Sequence, residues 1–160
     1  MVQVILNEIE SLLTLDFGEK QKRYFQYLKD QYKEVRVTPL NEVFTVKEIH
    51  LIKKVVKPQP KQCFRNAAKL VELFPDRVKY VEGKVNKWFP IEHAFNLVDG
   101  DKYVDLTFEL VLKDEEVISY EYASFLELNY EEQIDFMLST GMYGDWVRES
   151  YRSKNKISNN

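Results

Sequence analysis

Cysteine is almost missing from this chain: Cys63 is the only one among 160 residues, so no internal disulfide can form and one thiol is left with a packing or a reactive purpose. Histidine is nearly as scarce, with His50 and His93 alone. His50 has no cysteine or acid beside it at ligand spacing and is expected on the surface, so neither a metal nor another cofactor is expected. No charge of one sign prevails: 23 Lys and Arg against 26 Asp and Glu leave a net −3, which lacks the basic surplus of a nucleic-acid binder. Long apolar runs are absent as well. The N-terminal run has no basic lead and ends at Asn7, short of a secretory signal or a membrane span, so a cytoplasmic location and no membrane partner are expected, with export by another route left open. There is no internal repeat and no low-complexity linker.

What is present suits a single packed domain. Apolar residues make up 44% and charged residues 31%, and 10 Tyr, 10 Phe and 2 Trp supply rings for a core. Charge is uneven locally. Five lysines face one glutamate over residues 47–61, and eight acids with no base fill residues 114–135, both read as solvated faces.

Apolar spacing predicts a helix over residues 4–13 (Val4, Ile5, Ile9, Leu12, Leu13). A second is expected from an Asp16/Glu19 capping box through Tyr24, Tyr27, Leu28 and Tyr32, ending before Pro39. Thr45 and Glu48 repeat that spacing ahead of Val46, Ile49, Ile52 and Val56, a third helix. Pro58 and Pro60 then interrupt helical backbone. From Cys63 the apolar positions Phe64, Ala67, Ala68, Val71 and Phe74 recur at helical spacing until Pro75, which puts Cys63 at a helix N-terminus. Short β-rich runs follow: residues 78–81 before Gly83, 93–98 and 103–108, with a fourth around 116–122. Asn129 and Glu132 open a helix through Leu138, Gly141 and Gly144 break the chain, and a short helix covers residues 146–151.

The expected fold class is α+β: a nucleophile-bearing helix on a small antiparallel sheet, with extra N-terminal helices. The division is one domain over 1–152, made of a helical part (1–56), a central part (57–122) and closing helices (123–152), with a flexible tail over 153–160.

Three residues stand out chemically. A helix N-terminus favours thiolate through its unpaired amides and dipole, and Lys57 and Lys61 would add positive potential if they turned inward. The plain alternative is that Cys63 is a small buried hydrophobe. His93 and Asp105 decide between these by strand parity. If residues 99–101 form a three-residue loop, Val98 pairs with Lys102, Phe95 with Asp105 and His93 with Thr107. His93 and Asp105 are then diagonal neighbours on one face, about 7 Å apart at Cβ, a span that one hydrogen bond bridges. A two-residue loop would send them to opposite faces.

The ordered pieces Cys63-Phe64-Arg65-Asn66-Ala67-Ala68, Arg77-Val78-Lys79-Tyr80-Val81-Glu82-Gly83, His93-Ala94-Phe95-Asn96, Gly100 and Asp105-Leu106-Thr107 resemble the transglutaminase-like branch of the papain-type fold. The resemblance covers residues 62–108. It implies that Cys63 attacks an amide or ester carbonyl, His93 handles the proton and Asp105 orients the imidazole. A peptide or protein amide is the implied substrate. The Cys63 amide would bind the oxyanion with a second donor, Gln59 or Gln62. Papain-type proteases carry a glutamine further ahead of the cysteine than Gln59 and a tryptophan where this chain has Phe64; the family's common Asp-Pro-Thr is Asp-Leu-Thr here. Trp88, Phe89 and Trp146 are candidates to line a cleft, although packing against the core is their plainer use. Glu92 is expected to face water. The expectation is therefore a cysteine hydrolase or acyltransferase: peptidase, amidase, deamidase or transglutaminase. The alternative is a non-catalytic binding or regulatory protein that keeps the fold and acts through its acidic or aromatic surface; a third reading makes residues 1–56 an adaptor for a protein partner.

Overall fold

A computed structural model describes residues 3–158, and residues 1–2 and 159–160 lie outside that range. Six helices, α1 (Val4–Thr14), α2 (Glu19–Gln31), α3 (Val46–Val55), α4 (Cys63–Leu73), α5 (Tyr130–Thr140) and α6 (Trp146–Ser158), surround five strands. The strands are β1 (Lys33–Val35), β2 (Val78–Asn86), β3 (Pro90–Val98), β4 (Lys102–Val104) and β5 (Glu121–Leu128). The architecture is α+β, with one curled antiparallel sheet in the order β1-β5-β2-β3-β4. Its two outer strands approach each other: Val37, just past β1, bridges Tyr103 of β4, and the Thr38 amide donates to the Tyr103 carbonyl at 2.7 Å.

The curl gives the sheet an inside and an outside. Inside lie Val35, Val37, Val81, Val85, Phe95, Tyr103 and Tyr122, joined by Phe108. The outer face carries Tyr80, Ala94, Val98 and Val104 against α3 and α4, with Trp146 at the start of α6. A third cluster joins Ile5 and Ile9 of α1 and Tyr24 and Leu28 of α2 to Ala123 and Phe125 of β5. Each fully buried aliphatic side chain contributes about 1.5–3 kcal/mol by leaving water.

Local chemistry explains most boundaries. Thr45/Glu48 and Asn129/Glu132 both form complete capping boxes, and Gly141 closes α5 in the left-handed region at φ 69°. The expected Asp16/Glu19 box is not formed. Gly18, at φ 87°, turns the chain so that α2 starts at Glu19, whose carboxylate then sits in the first turn. That helix also stops earlier than Tyr32, because residues 33–37 alternate exposed Glu34 and Arg36 with buried Val35 and Val37 and join the sheet. Gly83 does not end a strand: β2 runs through it to Asn86 with a bulge against β5. A Cβ there would lie 1.8 Å from the Ala123 carbonyl oxygen, so only glycine permits this approach.

Three further expectations need correction. The third predicted strand, residues 103–108, ends at Val104, because the Asp105 carboxylate accepts the Phe108 amide at 3.0 Å and starts the π-helical turn Thr107–Val111. The fourth begins at Glu121, after a 3-10 turn at Val117–Ser119, and extends to Leu128. The final helix continues to Ser158, so residues 153–158 of the expected flexible tail are helical. No helix of the described residues is long and apolar enough to cross a membrane.

Candidate active site

The hairpin between β3 and β4 sets the site. Residues 99–101 form a three-residue loop with Asp99 at φ 53° and Gly100 at φ 81°, and Val98 pairs with Lys102, Leu97 with Tyr103 and Asn96 with Val104. Arg77 holds this loop through two bonds of 3.0 Å to the Asp99 carboxylate, and it also pairs with Glu48 of the α3 capping box. The guanidinium in turn keeps the Asp99 carboxyl below its ordinary value. Helix, loop and register are thereby locked together.

With that register His93 and Asp105 point to the inside of the curl. His93 Nε2 lies 2.6 Å from Asp105 Oδ2. The expected His93–Thr107 pairing is not made, since β4 has already ended, but the diagonal placement of imidazole and carboxylate survives. Asp105 is fully buried and its remaining valences are filled: Oδ2 accepts the Tyr122 hydroxyl at 2.7 Å and Oδ1 accepts the Phe108 amide. The Phe108 ring leans over the imidazole with centroids 4.6 Å apart, and Phe95 and Tyr122 flank it. His93 is only 3% exposed.

Cys63 is the first residue of α4 and is partly buried. Its side chain is near enough to His93 to be among the groups that raise the imidazole pKa. With Nε2 committed to Asp105, the ring nitrogen left for sulfur is Nδ1. Burial would by itself lower the His93 pKa, but the Asp105 charge and hydrogen bond, together with Cys63, push it up to about 10. The imidazole is therefore protonated at neutral pH.

The segment before Cys63 is held rigidly by residues that the sequence reading passed over. Asn66, fully buried, accepts the Gln59 amide at 2.9 Å and donates to the Gln59 carbonyl at 2.8 Å. It donates also to Thr107 Oγ1 at 2.9 Å, tying the thiol helix to the turn that follows Asp105. Arg65 caps the carbonyls of Val56 and Lys57. Lys57 and Lys61 take positive φ of 49° and 60° in this loop, and both side chains are exposed rather than turned inward.

Gln59 Nε2 donates to the Lys57 carbonyl, and Gln62, exposed at the N-cap of α4, makes no side-chain capping bond. Trp146 is fully buried between Tyr80 and Phe136, so of its two expected uses it has the core packing and not the cleft wall. Trp88 and Phe89 are 83% and 66% exposed at the β2–β3 turn. Glu92 and His50 face solvent as expected. Gly144 lies close against the ring of Phe64, the residue after Cys63, where a Cβ would stand 2.4 Å from the nearest ring carbon. Among the described residues no group of three or more His, Cys, Asp or Glu side chains is placed to hold a metal ion.

Comparison with family models, with curated proteins and with solved structures finds no match, so the argument for function rests on this geometry.

Proposed function

We propose that this chain is a cysteine-dependent hydrolase or acyltransferase acting at amide bonds, built on a papain-type, transglutaminase-like frame. One observation carries the reading: a buried imidazole is hydrogen-bonded through Nε2 to a fully buried carboxylate, and the thiol at the N-terminus of α4 is among the groups that raise its pKa.

In the proposed reaction the His93 imidazolium stabilises a Cys63 thiolate, helped by the free amides of the first turn of α4. The sulfur attacks the carbonyl carbon, and the tetrahedral oxyanion is met by the Cys63 backbone N–H. As the C–N bond breaks, His93 gives its Nδ1 proton to the departing amine and an acyl-thioester remains. Water or a second amine then gives a proton to the neutral imidazole as it attacks the thioester carbonyl. That step expels the thiolate and yields acid or new amide. Asp105 keeps the ring oriented throughout, and Tyr122 and the Phe108 amide keep Asp105 in place.

Covering of the site favours a second reading, a protein that retains the arrangement for packing and binds partners through its surface, since His93 and Asp105 are 3% and 0% exposed. Thiol kinetics separate the two. A catalytic Cys63 alkylates rapidly with iodoacetamide at neutral pH and slows at least about tenfold in His93→Ala. Slow alkylation that ignores His93→Ala, in a folded variant, rejects the enzyme.

A further inference from the structure

We propose that the groove between α2 and α6 binds carboxylate-rich peptide segments. The groove has a volume of about 700 Å³, against about 290 Å³ for the cavity at residues 75–76 and 129–131. Its floor includes Tyr24 and Tyr151, whose rings pack edge to face at 5.2 Å. Its walls are mainly basic. Arg148 and Arg152 are paired with Asp145 and Glu149, but Lys20, Arg23 and Lys156 have no hydrogen bond or ion pair among the described residues, against Glu19 as the single acid in the lining. In a chain of net charge −3 this concentration of unpaired cations is a local exception, and a carboxylate-bearing ligand is what complements it.

Shape and surroundings favour a peptide over a nucleic acid. The lining residues of α6, Arg148 to Lys156, span about 12 Å, room for about four residues of extended chain. Glu19 and Gln21 offer acceptors that suit backbone amides and have no counterpart in a phosphate backbone. The groove also adjoins elements that neighbour the site. Tyr24 is shared with the small cavity bordered by Glu92, the neighbour of His93, and α6 begins two residues after Gly144, which rests on Phe64 beside Cys63. A role for the groove in holding substrates of Cys63 depends on the chemistry proposed above, whereas the binding itself does not.

The test is fluorescence anisotropy with the whole chain and a short labelled Glu-rich peptide. Parallel arms use its Gln-for-Glu counterpart and a short single-stranded RNA. The Glu peptide is expected to bind at least about tenfold tighter than the Gln peptide, and to weaken at least about tenfold between about 50 and 300 mM salt. The doubly reversed variant Arg23→Glu/Lys156→Glu is expected to lose at least about tenfold, while Lys53→Glu/Lys54→Glu on exposed α3 changes nothing. Equal binding of both peptides, indifference to the Arg23/Lys156 reversal, or preferential binding of RNA overturns the proposal. Cys63 alkylation measured on the same samples keeps the two proposals apart: a reactive thiol with no peptide binding removes the groove alone, and peptide binding beside an inert thiol removes the enzyme alone.

Discussion

Two carboxylates are buried on the two faces of the same sheet, and they are dressed almost alike. Asp105, inside the curl, accepts from a tyrosine hydroxyl and a backbone amide. Glu82, on the helix-covered face, accepts from the Tyr80 hydroxyl at 2.6 Å and from the amides of Trp146 and Val147 at 3.2 Å, the N-terminus of α6. The difference is the cation. Asp105 faces His93, and the pair keeps the imidazole charged up to about pH 10, whereas Glu82 has no positive partner and its burial raises its pKa to about 7 in spite of three donors. Hydrogen bonds alone position a buried acid; only a counter-ion keeps a proton beside a sulfur at neutral pH.

Removing the anion breaks that contrast most severely. Asp105→Ala leaves a buried imidazole without its partner and should cost about 3–5 kcal/mol of stability, visible as a lower denaturant midpoint. Any amide turnover should fall by about 10³-fold or more. A milder version is Tyr122→Phe, which removes one of three donors. An expected loss of about 1–2 kcal/mol shows as a lower denaturant midpoint, and an unchanged midpoint would mean that Tyr122 only packs.

The pH dependence of folding separates the two acids by window. His93 has a folded pKa above its ordinary 6.5, so its contribution is complete below that value and is lost as pH rises through about 10. Glu82 is also raised, from 4.5 to about 7, so its contribution is present below pH 4.5 and is lost as pH rises through 7. Glu82→Gln should therefore flatten the stability curve between pH 4.5 and 7, leaving the part due to Glu109, which is raised likewise to about 7, and should leave the alkaline slope untouched. Equilibrium unfolding across pH checks both slopes. The smallest effect is expected from Glu82→Gln below pH 4.5, within about 1 kcal/mol of the parent, since the amide there replaces a neutral acid and its oxygen still accepts from the α6 amides.

The same contrast shows what residue order discloses. His93 and Asp105 share a face because of loop length and side-chain alternation, both readable from Val98, Gly100 and Lys102, and Arg77 secures that loop from a distance. The capping boxes of α3 and α5 were equally plain. Tyr122 and Asn66 were not, since each acts on a residue far away in the chain, Tyr122 on Asp105 and Asn66 on Thr107. Trp146 was read both as the start of a helix with a plain use in the core and as a candidate cleft wall; the partners that bury it, Tyr80 and Phe136, come from separate elements. Gly83 was taken for a stop when its missing Cβ instead admits a neighbouring backbone. The alternation of Val35 and Val37 with Glu34 and Arg36 was a local signal for β1 that the tyrosine stripe of α2 obscured.

The Val37–Tyr103 bridge has a consequence for the reach of the N-terminal segment. By drawing the first strand's continuation to the last strand's flank, it leaves little open seam along which a second molecule could zip on. Cutting the chain before residue 39 would undo that closure on both sides at once, one residue pair from the turn that carries Asp105, so the opening quarter of the polypeptide serves the site as a stave serves a cask.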